Sequence, residues 1–237
     1  MCRCSNFIVP ALLTVAGIAA VAGSVALTQP AKEKMPGAAK PAAAQPAGQP
    51  DMQLPPGWSA EDMQACTEAG TPGQMHEVLA KRVGTWSSKT KMWMAPGTEA
   101  MASEGTYTCT SLMDGRYVHC EMKGEMPGMG MFHGAGLAGF DNVSQKFVGN
   151  RIDNHSTGIM NGTGTLSADS KTLNWTYTHN CPLTKKPQTL REVETMTGPN
   201  NMTLEMYGPD RASGKEFKMM EITFSRTGGA PTASKGH

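Results

Sequence analysis

Three groups of residues in this chain have the types and spacing to do chemistry. The first is the run Met126-Pro127-Gly128-Met129-Gly130-Met131-Phe132-His133, in which three thioethers and an imidazole stand close together. Soft sulfur beside imidazole suits Cu(I), so Met126, Met129, Met131 and His133 are copper candidates. The bland reading is a Gly-rich turn in a chain that holds 19 Met. The second group is Asp141-Asn142, which either presents polar groups to a ligand or bonds its own backbone in a turn. The third is Asp153 with Arg151 and His155 nearby. In the mouth of a barrel these residues would orient a ligand, and on an outer face they would form an ion pair.

Other chemistries find no footing. His76-Glu77 begins a zinc-protease pattern, but position 80 is Ala, so the second helical ligand is missing. No Gly-x-Ser-x-Gly elbow, phosphate loop or paired Cys-x-x-Cys knuckle occurs. His119, His133, His155 and His179 are scattered over different segments. No cofactor is expected, and an unrecognised enzyme is only a further alternative. The formal net charge of +1 offers no field for nucleic acid, and no basic cluster is interleaved with aromatics.

The elements that would position these residues begin after an unusual first quarter. Phe7 to Leu27 is an uncharged apolar run of roughly 21 residues preceded by Arg3, the pattern of an export signal. Cleavage after Ala26 is expected, with an uncleaved anchor over residues 7–27 as the alternative and the only link to a membrane. Residues 27–57 are Ala-, Pro- and Gln-rich and are expected to form a disordered linker. One domain then spans residues 58–227, and residues 228–237 form a tail. The expected location is the periplasm or cell envelope, an oxidising setting for Cys66, Cys109, Cys120 and Cys181. With 19 Met and 6% aromatic residues, the core is expected to be filled largely by thioethers and small β-branched side chains.

Ser59 and Asp62 form a capping-box variant at the start of a short helix running to about Ala69. Thr71-Pro72 reads as N-cap and first position of a second helix, running to Val83 with Met75, Val78, Leu79 and Val83 on one face. Both helices are expected to pack on the barrel as a lid or plug. After Trp86 the period becomes two, and strands follow one another with short turns to Arg226. About ten strands without a helical spacer predict an all-β, antiparallel sheet closed into a barrel.

Asp114-Gly115 is the sharpest turn signal, because a type I′ turn needs two residues tolerant of positive φ. A two-residue turn there pairs Met113 with Arg116 and Cys109 with Cys120, and sends Tyr107, Cys109, Met113, Val118, Cys120 and Met122 to the core face. Cys109 and Cys120 then lie within disulfide reach, although this counting puts them at a hydrogen-bonded site; two buried thiols are the alternative. A Cys66–Cys181 bond would complete the set without local support.

Pro72-Gly73 with His76 and Leu79, Gly84-Thr85-Trp86, Pro96-Gly97, Asp114-Gly115-Arg116-Tyr117, Gly139-Phe140-Asp141-Asn142, Ile152-Asp153 with Thr157-Gly158, and Met220-Glu221-Ile222 with Arg226 resemble, in this order, the bacterial family DUF1579. The resemblance covers about Trp58 to Arg226. Where that family commonly has Trp before the Ile-Asp pair, this chain has Arg151. The family implies no activity. A looser similarity is to lipocalin and calycin barrels, whose first strand opens with Gly-x-Trp and whose last strand lays an Arg over that Trp. It implies structural roles for Gly84, Trp86 and Arg226, with the cation–π contact worth about 0.5–2 kcal/mol. The combined expectation is an exported barrel for a small, largely apolar ligand, found at the end away from Trp86. The alternative is an envelope structural or protein-interaction module.

Overall fold

The computed structural model describes Leu54 and residues 56–229. The expected signal or anchor, and almost all of the expected linker and tail, lie outside the described residues. Two helices, α1 (Ala60–Gly70) and α2 (Gln74–Ala80), precede ten strands. These are β1 (Gly84–Met92), β2 (Met101–Leu112), β3 (Tyr117–Met126), β4 (Gly130–Asp141), β5 (Lys146–Asp153), β6 (Met160–Leu166), β7 (Thr172–Asn180), β8 (Pro187–Gly198), β9 (Asn201–Pro209) and β10 (Glu216–Gly228). Each strand pairs antiparallel with the next, and β10 returns to β1, so the ten form a closed barrel with no free edge.

Period two decides which side chains enter the barrel. On β1, Trp86 and Ser88 are buried and Thr90 and Met92 partly so, while Ser87, Lys89 and Lys91 are exposed. On β7, Leu173, Trp175 and Tyr177 are buried. Trp175 and Tyr177 face glycines on β6, in the register Gly164↔Trp175 and Gly162↔Tyr177. A Cβ on Gly164 would stand 2.9 Å from the Trp175 ring, so the bare strand is what lets the indole lie across it.

One end of the barrel is sealed. His76 and Leu79 of α2 are buried, and α2 packs against β3 and β4. Trp86 is fully buried and donates from Nε1 to the Arg82 carbonyl at 2.9 Å. Arg226 donates to the carbonyls of Val83 and Lys81, groups that follow α2 and lack helical partners. Gly84 has φ +134°, and a Cβ there would come within 2.5 Å of the Arg226 guanidinium.

The structure corrects several sequence expectations. The second helix starts at Gln74, not Pro72: Thr71 closes α1, and the Gly73 amide donates to His76 Nδ1 at 3.0 Å. Only α2 plugs the barrel, since α1 has no buried residue. It is held from outside, by Arg116 Nε donating to the Gly70 carbonyl at 3.0 Å and by the Asn142 amide. In the β2–β3 hairpin the Cys109↔Cys120 register is as expected, but the last pair is Leu112↔Tyr117. Met113 joins Asp114 and Gly115 at positive φ, which takes Met113 and Arg116 out of the ladder and makes a four-residue loop. The alternation then shifts by one, and the Cys109–Cys120 disulfide spans a Cα separation of 4.1 Å, that of a non-hydrogen-bonded pair. Cys66 and Cys181 are separate thiols.

Candidate functional site

The inward faces of the strands do not fill the barrel. A cavity of about 300 Å³ remains between the plug and the opposite end, where Glu104 of β2, Glu125 of β3, Phe132 of β4 and Asp153 of β5 line it. By the share of liquid volume each water takes, this is room for roughly ten waters. Its upper wall includes Met92, Met101, Met122, Met126, Met206 and Met220. The expectation of a thioether-filled core is therefore corrected. The sealed half is packed by Trp86, Trp175, Phe147, Leu79 and Phe224 with Met202, while most inward methionines line empty space. Unbranched thioethers give such a wall the freedom to adapt to an occupant.

The floor is polar and built from two ion pairs. Arg82, just beyond α2, reaches Glu194 of β8 through Nη2–Oε2 at 2.6 Å. Its Nε lies 2.5 Å from Oε1, outside hydrogen-bond geometry, and both side chains are 6% exposed. Arg151 of β5 donates from Nη2 to Oε1 of Glu192, also on β8, at 2.5 Å. The other Glu192 oxygen, Oε2, is buried without a partner. Both guanidinium groups also lie against aromatic rings, Arg82 at 5.6 Å from the Trp175 centroid and Arg151 at 4.8 Å from that of Tyr177. Tyr107 and Tyr177 complete the floor.

Burial governs the electrostatics here. Glu192 is pushed up in pKa by burial first and by the Glu194 charge second, against the pull of Arg151. Burial also pushes the phenols of Tyr107 and Tyr177 up, so both are neutral hydroxyls. For Arg82 and Arg151 burial favours the neutral form, but the neighbouring carboxylates outweigh it and hold both guanidinium groups protonated. The floor thus carries fixed donors. Glu192 does not line the cavity, whereas Glu194 does, held by Arg82.

The sequence-predicted residues divide by which end of the barrel they reach. Arg151 and Asp153 line the cavity, Arg151 at the floor and Asp153 near the mouth. His155 does not: its ring stacks on Phe132 at 5.9 Å. Asp141 and Asn142 lie at the sealed end. Asp141 bonds the Val143 amide and the Ser144 hydroxyl, and Asn142 Nδ2 donates to the carbonyls of Glu68, Ala69 and Thr71. They form a turn and a helix clamp instead of ligand contacts, because the β4–β5 hairpin ends beside α1. The copper candidates are split by the pleat: Met126 lines the cavity, Met129 and Met131 are exposed, and His133 faces outward with Nε2 3.8 Å from Glu121 Oε2.

Arg82, Glu192, Glu194 and Tyr177 escaped sequence reasoning, and a signal for the two glutamates was present. Leu190, Glu192, Glu194 and Met196 alternate on one face of β8, so an inward Leu190 carries both carboxylates inward with it.

Among solved structures, Rv2717c from M. tuberculosis resembles the chain with a TM-score of 0.51 at 9% identity, over 66% of this chain and 99% of that one. The S-type phycobiliprotein lyase CPES from Guillardia theta aligns with a TM-score of 0.47 at 9% identity, over 68% and 96%. At such identity the likeness concerns the fold alone. No curated protein matches the chain in sequence. Residues 71–226, from the end of α1 to Arg226 on β10, match DUF1579, described as a protein family of unknown function, and the chain belongs to that family.

Proposed function

We propose that the domain binds a small, largely apolar molecule inside the barrel. The observation that carries this reading is the 300 Å³ cavity, walled above by methionine and aliphatic side chains and sealed at one end by the Trp86 plug. Concave, mainly apolar space with a few fixed polar groups is the usual form of a small-molecule site. A barrel serving only as a scaffold gains stability by filling its interior, since each void forfeits packing.

The reading includes export to the periplasm or envelope. The apolar run Phe7–Leu27 supports it, and so does the Cys109–Cys120 disulfide, a bond that persists in oxidising compartments. The mass of the mature chain decides between cleavage after Ala26 and a retained anchor.

Native mass spectrometry of protein purified from its own envelope tests binding. The expected result is a reproducible added mass that organic extraction removes. Protein that stays empty, and takes up no apolar probe such as decanoate or methyl decanoate, would overturn the reading.

A further inference from the structure

The cavity floor is one-sided in its hydrogen-bonding capacity. Arg151 keeps 31% of its side-chain surface exposed, and only its Nη2 is engaged by the protein. Among the described residues no protein group accepts from its Nε or Nη1. The phenols of Tyr107 and Tyr177 border the same space and make no hydrogen bond to the protein among the described residues. The acceptors, by contrast, are withdrawn or already engaged: the Glu192 side chain is 0% exposed, and Glu194, which lines the cavity, is 6% exposed and held by Arg82. A desolvated surface that offers donors and hides acceptors selects a ligand group that accepts, and a planar guanidinium edge matches a carboxylate best.

We propose that the ligand is an apolar monocarboxylate bound head-down, its carboxylate on Arg151, Tyr107 and Tyr177 and its hydrocarbon body among Met122, Met206 and Met220. This rests on the apolar-ligand reading above. The four floor charges cancel, so the incoming carboxylate competes with Glu192 for Arg151. Arg151 holds Glu192 through Nη2 alone, which leaves Nε and Nη1 to donate to a second carboxylate. The opposite orientation would put a cationic head on Glu104, Glu125 and Asp153 near the mouth. The Glu104 side chain there is 79% exposed, and water screens what it offers.

The test is calorimetric titration of the purified full chain with decanoate, methyl decanoate and decyltrimethylammonium. These probes share a hydrocarbon body and differ in the head. Decanoate is expected to bind at least about tenfold more tightly than its methyl ester, the scale of one charge-assisted hydrogen-bonded contact. The double variant Arg151→Met with Glu192→Met removes both halves of the buried pair. It is expected to abolish that preference, with decanoate losing far more affinity than its methyl ester. Arg151→Lys keeps the charge but loses the fork, and decides the matter if the double variant does not fold; an undiminished preference there overturns the proposal. Equal binding of decanoate and its ester, or tighter binding of decyltrimethylammonium, overturns the head-down carboxylate while leaving an apolar ligand in place. No binding of any probe overturns the apolar-ligand reading itself.

Discussion

The guanidinium of Arg226 lies 3.9 Å from the ring centre of Trp86, its register partner across the β1–β10 seam that closes the barrel. One side chain thereby stacks on the plug, joins the last strand to the first, and satisfies carbonyls that follow α2. Replacing Trp86 by Ala empties a fully buried site and is expected to cost about 3–5 kcal/mol. Arg226→Lys, which cannot bridge ring and carbonyls together, is expected to cost about 1–3 kcal/mol. Urea midpoints measure both, and a neutral Arg226→Lys would show that the seam does not depend on the fork.

The Arg82–Glu194 pair is buried on both sides, so each partner alone is a liability. Arg82→Met leaves a desolvated carboxylate and is expected to lose about 3–5 kcal/mol. Adding Glu194→Met should recover most of that loss. A double-mutant cycle in urea checks the coupling, and additive losses would contradict a direct pair.

Cys109 is 1% exposed and bonded to Cys120, whereas Cys66 is exposed. Alkylation without reduction should label Cys66 and spare Cys109 and Cys120. Reduction opens that short covalent loop, frees the unfolded chain and is expected to lower stability by about 2–3 kcal/mol, read as a shift in the urea midpoint with reductant.

Asn142 serves the end of α1 and stands far from the cavity. Asn142→Ala is expected to raise hydrogen exchange at the C-terminal turn of α1 and to cost about 1 kcal/mol, with decanoate affinity unchanged. A drop in affinity would return this residue to the binding site.

Glu192 has a folded pKa above its unfolded value, so the native state holds its proton more tightly than the unfolded chain does. Its favourable contribution is complete below the unfolded carboxylate pKa of about 4.3 and is lost as pH rises through the folded value. Several partly exposed carboxylates, including Asp141 and Asp210, are held low by hydrogen bonds and act in the opposite sense at lower pH. The comparison with Glu192→Gln isolates the buried group. The stability of the wild type relative to that variant should fall with rising pH above about 4.3. Urea unfolding from acid to neutral pH measures this, and a flat or rising difference would refute the assignment.

Local pattern made much of this molecule legible. Strand positions from β1 to β10, the β2–β3 register, the Ser59 cap and the inward face of β1 follow from period two, turn residues and side chain-to-backbone bonding, all of which act within a few residues. Arg151 and Asp153 were readable as site candidates from their charges beside Ile152, and β5 turns both toward the cavity.

The arrangement across the barrel needed the tertiary structure. Arg82 and Glu194 are 112 positions apart and Arg151 and Glu192 41 apart, so their meeting depends on where a ten-strand circuit closes. That circuit also sends Asn142 to the helix end instead of the mouth, and turns Met131 and His133 outward while Met126 faces in. Sequence by itself determined the strands and most of their faces, because hydrophobic alternation and backbone preference are local. Only closure of the sheet decided which polar residues lose water together, because desolvation depends on everything that surrounds a group in space.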